Sequence, residues 1–275
     1  MASIPQLILP TGHSIPQFGF GVFQIDCADT AASVRTALEA GYRHIDTAQM
    51  YGNEKEVGEG IAGSGVPRSE IFITTKLAND RHGYDSAITA LDESLERLGT
   101  DHVDLYLIHW PLPRKNRYVQ TWQAFEKLAA DGRARSIGVS NFQPEQLDTL
   151  AKETDTLPAV NQIELHPALQ QERLRAYHRA AGIVTEAWSP IAQGAVLDDR
   201  DIRELADKYD KTPAQVVLRW HIQLDNVVFP KSINASRVRE NIDIFDFELD
   251  PGDMATIGTL DRGHRTGPDP DTFTG

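Results

Sequence analysis

Short apolar runs alternate with longer amphipathic segments along most of the chain. Eight runs are rich in β-branched or apolar residues and are bounded by glycine, proline or charged residues, which is typical of short buried strands. They are residues 18–22, 44–47, 71–76, 103–109, 134–139, 159–163, 183–188 and 227–230. Segments with helical spacing lie between and after them, at 29–40, 54–62, 84–98, 119–130, 144–152, 170–181, 199–209 with 213–223, and 235–242.

Eight strand–helix units in about 250 residues predict a (β/α)₈ TIM barrel, which we take as one domain over residues 1–275. A doubly wound parallel sheet has the same alternation and is the alternative. Two features lie outside the repeat. Residues 7–16 predict an N-terminal β-hairpin, which we expect to plug the bottom of the barrel. Residues 251–258 predict an extra C-terminal helix, followed by a tail expected near the barrel mouth.

Composition and charge narrow the classes of protein. The 275 residues include 27 Lys and Arg against 40 Asp and Glu, a net charge of −13 that argues against nucleic-acid and membrane-surface partners. Cys27 is the one cysteine, so the chain forms no intramolecular disulfide, which is compatible with a reducing compartment. No apolar run approaches the ~18 residues of a membrane span, and the first residues carry no basic stretch, so we expect no secretory leader. We therefore expect a cytoplasmic protein.

Polar residues at the carboxyl ends of the predicted strands point to chemistry at that end of the barrel. Asp46, Lys76 and His109 lie at the ends of three consecutive strands, and Tyr51 follows Asp46. A nearby ammonium group favours the phenolate and lowers the pKa of a tyrosine. The group predicts a general acid, Tyr51, whose pKa is lowered by Lys76 while Asp46 keeps the lysine charged. His109 is expected to hydrogen-bond a carbonyl oxygen.

Four ordered motifs carry a resemblance to a known family. They are His44-Ile-Asp-Thr-Ala-Gln-Met-Tyr51-Gly-Asn-Glu, Val103-Asp-Leu-Tyr-Leu-Ile-His-Trp-Pro111, Ile137-Gly-Val-Ser-Asn-Phe142, and Lys231-Ser-Ile-Asn with Arg237, Glu240 and Asn241. Together they resemble the aldo-keto reductases, over about residues 7–261. Residues 162–167 and 213–220 are similar to the bacterial 2,5-diketo-D-gluconate reductase branch.

The resemblance implies a reductase that transfers a hydride from NADPH to an aldehyde or ketone, such as 2,5-diketo-D-gluconate, methylglyoxal or another dicarbonyl. It implies that Tyr51 is the general acid, assisted by Asp46, Lys76 and His109, and that the protein is a monomer. The implied cofactor contacts fall into three groups. Ser140, Asn141 and Gln162 hold the carboxamide while Trp188 stacks on the nicotinamide; Ser189, Ile191, Gln193 and Gly194 cover the pyrophosphate; Lys231, Ser232, Ile233 and Arg237 surround the 2′-phosphate, with Glu240 and Asn241 at the adenine.

The charge of the last group also supports NADPH on physical grounds. A 2′-phosphate favours cationic donors such as Arg237 and Lys231, whereas an NAD site favours a carboxylate on the ribose. Phe23, Ala78 and Trp110 are the predicted walls of the substrate pocket. Relatives often carry an aromatic residue where this chain has Ala78, so we expect a wider pocket on that side.

Several other interpretations of these residues are disfavoured or remain as alternatives. A lysine at a barrel strand end can form a Schiff base, but a charged Lys76 is not nucleophilic. A non-catalytic NADPH-binding module of the same fold is the second alternative. Residues 58–63 match G-x-G-x-x-G, yet the residues just before them predict a helix, whereas a dinucleotide site needs a preceding strand. His102 and Asp104 have metal-like spacing without further ligands, so no metal site is expected.

Overall fold

The computed structural model describes residues 4–275. Its strands are β1 Gln6–Ile8, β2 Ser14–Pro16, β3 Phe20–Gly21, β4 His44–Asp46, β5 Phe72–Leu77, β6 Val103–Ile108, β7 Ala134–Ser140, β8 Val160–Glu164, β9 Val184–Trp188 and β10 Val227–Val228. Its α-helices are α1 Cys27–Glu39, α2 Glu54–Ala62, α3 Tyr84–Leu98, α4 Tyr118–Ala130, α5 Pro144–Glu153, α6 Glu172–Ala181, α7 Arg200–Tyr209, α8 Pro213–Gln223, α9 Ala235–Ile242 and α10 Pro251–Gly258. None of the helices in this part of the chain is long and apolar enough to cross a membrane.

Strands β3 to β10 form one parallel sheet in chain order, and the sheet closes on itself. Phe18, just before β3, forms a parallel bridge with Val228 of β10. The Gly19 amide donates to the Val228 carbonyl at 2.9 Å, and the Val228 amide donates to the Gln17 carbonyl at 3.1 Å. The predicted barrel is confirmed. The doubly wound alternative is wrong, because that sheet reverses its strand order and keeps two open edges.

The hairpin β1–β2 closes the amino-terminal end of the barrel, as the sequence predicts. Leu7 pairs with Ile15 in its antiparallel register. Leu9 and Ile15 are buried in the same apolar cluster as Leu105 and Val160, which line the barrel interior. The hairpin therefore supplies the bottom layer of the barrel core.

Side chains alternate along each barrel strand between the interior and the helix layer, because strand periodicity is two. On β6 the inward positions are Leu105 and Leu107, which belong to the interior apolar cluster. The next position in this phase is His109, at the mouth. On β5 the inward Phe72 is followed in phase by Lys76. The interior is thus apolar at its base and polar at its top, which brings the strand-end residues together.

Two glycines of the rejected G-x-G-x-x-G match serve helix packing. Gly58 and Gly60 lie within α2, and Gly63 is the residue that follows it. A Cβ on Gly58 would lie 2.5 Å from the Leu98 carbonyl oxygen, and one on Gly60 would lie 2.8 Å from the Ala31 carbonyl oxygen. Both distances are shorter than real Cβ contacts, so α2 can approach α1 and α3 this closely only with glycine at these positions.

Candidate active site

An ion pair between Lys76 and Asp46 lies at the top of the barrel interior. Lys76 is fully buried, and its Nζ donates to Asp46 Oδ1 at 2.7 Å, Asp46 Oδ2 at 2.8 Å and the Thr47 carbonyl at 2.8 Å. Burial by itself lowers the pKa of Lys76, but Asp46 and the Tyr51 oxygen together outweigh it, so the pKa lies above its ordinary value. Lys76 is therefore held as an ammonium group.

Tyr51 lies over this pair, on the short 3₁₀ turn Gln49–Tyr51 that follows β4. Lys76 Nζ donates to its hydroxyl at 3.3 Å. Burial raises the pKa of Tyr51; the Lys76 charge lowers it and the Asp46 charge raises it, and the net result lies above the usual value of 10. The expected influence of Lys76 on Tyr51 is present, but the prediction of a net lowered pKa is wrong for the protein alone, because desolvation is the larger effect.

His109 faces Tyr51 across the mouth, with their ring centroids 5.8 Å apart and the rings edge to face. Burial, followed by the Lys76 charge, lowers the pKa of His109 to about 3. The imidazole is therefore neutral at ordinary pH and carries one ring N–H. A neutral imidazole can donate that N–H in a hydrogen bond to a carbonyl oxygen.

Gln162 joins the two sides of the barrel. Its Nε2 donates to Asp46 Oδ2 at 3.0 Å and to Glu186 Oε2 at 2.8 Å. Glu186 was missed in the sequence analysis, although it lies in the inward phase of β9, two residues before Trp188. Burial, followed by the Asp46 charge, raises the pKa of Glu186 to about 8. A glutamate at an inward strand position was the signal that could have identified it.

Ser140, Asn141 and Trp188 form a second hydrogen-bonded group beside Gln162. Ser140 Oγ donates to the Gln162 carbonyl at 2.9 Å. Asn141 has a left-handed backbone with φ of 64°, and its Nδ2 donates to the His109 carbonyl at 3.0 Å. Trp188 Nε1 donates to Asn141 Oδ1 at 2.8 Å. The predicted carboxamide residues are therefore adjacent to the four predicted catalytic residues.

The segment after Trp188 has an unusual backbone. Ser189, Ala192 and Gln193 all have positive φ values near 50°, and Gly194 has a φ of 97°. Tight turns close within it, with the Gly194 amide donating to the Ile191 carbonyl at 2.8 Å. Non-glycine residues rarely adopt this conformation, and when they cluster they often mark a binding loop.

The predicted phosphate residues lie after β10 and at the start of α9. Lys231 and Arg237 are exposed, and neither forms an ion pair within residues 4–275. Asn234 caps α9, and its Oδ1 accepts from the amides of Ser236 and Arg237. Ser232 is half-buried, its Oγ accepting from the Asn234 amide at 3.0 Å, and Ile233 is exposed.

The two residues predicted at the adenine are less exposed. Asn241 is buried, and Glu240 is half-buried and accepts from Thr212 Oγ1 at 2.9 Å. Glu240 therefore already has a partner on α8's capping residue.

The predicted substrate walls surround the mouth. Phe23 is exposed, with its ring centroid 4.9 Å from that of Tyr51. Ala78 is buried, and its amide donates to Gln49 Oε1 at 3.2 Å. Trp110 packs against Phe273 of the tail, with centroids 4.4 Å apart. The C-terminal tail thus lies near the mouth, as expected.

A second tail contact was not predicted. Glu164 Oε1 accepts from the Thr266 amide at 2.5 Å and from the Gly267 amide at 3.2 Å. A Cβ on Gly267 would overlap the Trp188 ring. The tail is therefore anchored on Glu164 and packs directly on Trp188.

Among residues 4–275 there is no group of three or more His, Cys, Asp or Glu that could hold a metal ion.

The comparisons with known proteins identify the family. The sequence profile of the Aldo/keto reductase family matches residues 17–262. The chain belongs to this family of oxidoreductases. It is 56% identical to an aldo-keto reductase of Mycolicibacterium smegmatis over 98% of both chains, and 48% identical to the methylglyoxal reductase DkgA of Escherichia coli over 100% of both. A crystal structure of a Gox0644 mutant in complex with NADPH has a TM-score of 0.96 and 45% identity, over 99% of both chains.

Proposed function

We propose that this aldo-keto reductase uses NADPH to reduce small aldehydes and ketones, with Tyr51 as the general acid. The observation that carries the proposal is the buried group in which Lys76 contacts both Asp46 and the Tyr51 hydroxyl, with His109 facing Tyr51. The NADPH complex of Gox0644, a protein with the same fold and 45% identity, supports the choice of cofactor.

The residues of this chain fit NADPH. Lys231, in the loop after β10, and Arg237, in the first turn of α9, are exposed cations, which suits the 2′-phosphate. Ser140, Asn141 and Gln162 would hold the carboxamide, and Trp188 would pack on the nicotinamide. The remaining predicted contacts, Ser189, Ile191, Gln193, Gly194, Ser232, Ile233, Glu240 and Asn241, belong to the same proposal. When bound, NADPH supplies the hydride that reaches the carbonyl carbon.

The protein's own part in the reaction is to bind and protonate the carbonyl oxygen. His109, neutral at ordinary pH, donates an N–H to that oxygen and fixes its position. Tyr51 is protonated at neutral pH, so it has a proton to give. The adjacent Lys76 ammonium stabilises the phenolate that remains, and a general acid of this kind contributes about 10²–10⁴-fold in rate. Asp46 keeps Lys76 charged throughout.

The substrates we propose are small carbonyl compounds, with methylglyoxal and 2,5-diketo-D-gluconate among the dicarbonyls. The 48% identity to the methylglyoxal reductase DkgA supports this class. Phe23, Ala78 and Trp110 would form the pocket walls, and the small Ala78 would leave room for bulkier carbonyls.

We also propose that the protein is monomeric and cytoplasmic. Sedimentation velocity tests the oligomeric state and should give a particle of 30.5 kDa.

The Tyr51→Phe variant tests the acid. It should bind NADPH as the wild type does, measured by the change in NADPH fluorescence. Its kcat with methylglyoxal should be at least about a hundredfold lower than that of the wild type. Tyr177→Phe is the matched control, because it removes a tyrosine hydroxyl bound to Asp148 on the outer surface. Near-normal turnover of Tyr51→Phe would exclude Tyr51 as the acid.

The alternatives have distinct outcomes in the same assay. Tight NADPH binding with no turnover of any carbonyl by the wild type would indicate a binding module instead of an enzyme. A Schiff-base lyase is disfavoured because Lys76 is buried, charged and bonded to Asp46 and Thr47. Borohydride trapping of an adduct at Lys76 would reverse that judgement.

A further inference from the structure

The Gln162 side chain is held in one orientation by two carboxyl groups. Its Nε2 lies 3.0 Å from Asp46 Oδ2 on β4 and 2.8 Å from Glu186 Oε2 on β9. The Asp46 carboxylate would repel an amide oxygen placed beside Oδ2, so the atom that lies between Asp46 and Glu186 is the NH₂ group. Both of its N–H bonds are used, which leaves the amide oxygen Oε1 as the acceptor that Gln162 offers to a further donor.

We propose that Glu186 is a positioning residue for the nicotinamide: it fixes the Gln162 amide so that Oε1 is presented to the NH₂ group of the carboxamide. This inference rests on the proposed function, in which Gln162 is one of the carboxamide residues.

The cost of placing a carboxyl group at position 186 supports a specific role. Glu186 is fully buried and lies beside Gln162 in the β8–β9 register. Gln162 is its hydrogen-bond partner, and its Oε1 is buried without any partner among residues 4–275. An unpaired buried polar atom costs free energy that an apolar side chain would avoid. An apolar residue does occupy the preceding inward position of the same strand, where β9 has Val184.

Asp46 alone holds Gln162 less firmly, because one hydrogen bond leaves the amide free to turn about that contact. With Glu186 the amide is fixed both from the neighbouring strand β9 and, through Asp46, from β4 across the barrel. The raised pKa of Glu186, at about 8, is compatible with this role. A neutral carboxyl still accepts a hydrogen bond through its carbonyl oxygen. It also adds no second negative charge beside the Asp46–Lys76 pair.

The test compares Glu186→Leu, which removes the acceptor at similar volume, with Glu186→Gln, whose amide oxygen can still accept from Gln162. Two ligands are titrated against each variant. NADPH contains the nicotinamide, whereas adenosine 2′,5′-bisphosphate contains the adenosine 2′-phosphate without it. Glu186→Leu should raise the Kd of NADPH about tenfold, as expected for one poorly placed hydrogen bond, and leave the Kd of the bisphosphate unchanged. Glu186→Gln should restore most of the NADPH affinity.

Each other outcome is decisive. A rise in both Kd values would mean that Glu186 supports the fold of the whole site and would overturn the proposal, as would an unchanged NADPH Kd in Glu186→Leu. If Glu186→Leu does not fold, an NADPH Kd for Glu186→Gln more than tenfold above wild type, with the bisphosphate unaffected, would also refute it, whereas near-wild-type affinity would support it. Failure of the wild type to bind NADPH would instead refute the proposed function.

Discussion

Substitutions in the buried Asp46–Lys76 pair should lower the free energy of unfolding by amounts that depend on each other. Lys76 is fully buried and Asp46 is 5% exposed, so neither charge is hydrated to any useful extent. Replacing Lys76 with Met leaves the Asp46 carboxylate with Gln162 as a neutral partner, and replacing Asp46 with Asn leaves the ammonium with two neutral oxygens. Removing one partner of a buried pair costs about 3–5 kcal/mol, whereas removing both is often close to neutral. The double variant should therefore cost no more than either single variant.

Urea unfolding at pH 7, followed by tryptophan fluorescence, gives the four free energies of this cycle. We expect an interaction energy of at least about 3 kcal/mol between the two sites. Lys55 and Glu59 provide the control, because they form an exposed pair one helical turn apart on α2, at 3.8 Å. Their interaction energy should be about 0.3–0.5 kcal/mol. An Asp46–Lys76 value as small as that of the control pair would refute the argument that these charges are desolvated and mutually dependent.

Three further predictions concern Glu186, the tail and the pocket. The pKa of Glu186 is raised to about 8 in the folded protein, against 4.5 when unfolded, so between pH 4.5 and 8 the folded state keeps a proton that the unfolded state has lost. Stability from this group is therefore lost as pH rises, by about 1.4 kcal/mol per pH unit. The stability of Glu186→Gln relative to wild type should increase over that range, and a constant difference would show that the pKa is not raised. Gly267→Ala should displace the tail from Trp188 and speed tryptic cleavage after Arg265 severalfold, while Gly258→Ala, where a Cβ meets open space, should not; equal cleavage rates would contradict the packing. Ala78→Trp should lower KM for a small ketone and raise it for a bulky one, and an unchanged ratio of the two KM values would remove Ala78 from the pocket.

The sequence was enough to predict the barrel and much of its mouth. Strand periodicity places Lys76 and His109 in the same inward phase as the apolar residues below them, so their convergence follows once the eight units close in order. The hairpin was also predictable, because Thr11-Gly12 is a turn signal between two apolar runs. In the structure Leu9 and Ile15 from these runs pack in the barrel interior.

What could not be predicted depends on contacts between distant parts of the chain. Glu186 was missed because its meaning comes from Gln162, which in turn reaches Asp46 from a strand 116 residues away. The anchoring of Thr266 on Glu164 depends likewise on a tail that carries no strand or helix pattern. The pKa of Tyr51 was predicted in the wrong direction because a sequence names the neighbouring charge, Lys76, but not the extent of burial.

Hydride transfer from NADPH to a carbonyl carbon is the reaction proposed for this barrel. NADPH carrying deuterium at the transferable C4 position, incubated with the wild-type protein and methylglyoxal, tests this transfer through mass spectrometry of the alcohol formed. We expect one deuterium on the new carbinol carbon of each product molecule, and more than a hundredfold less product from Tyr51→Phe. Alcohol without deuterium, or product formed equally well without NADPH, would rule out hydride transfer from NADPH by this protein.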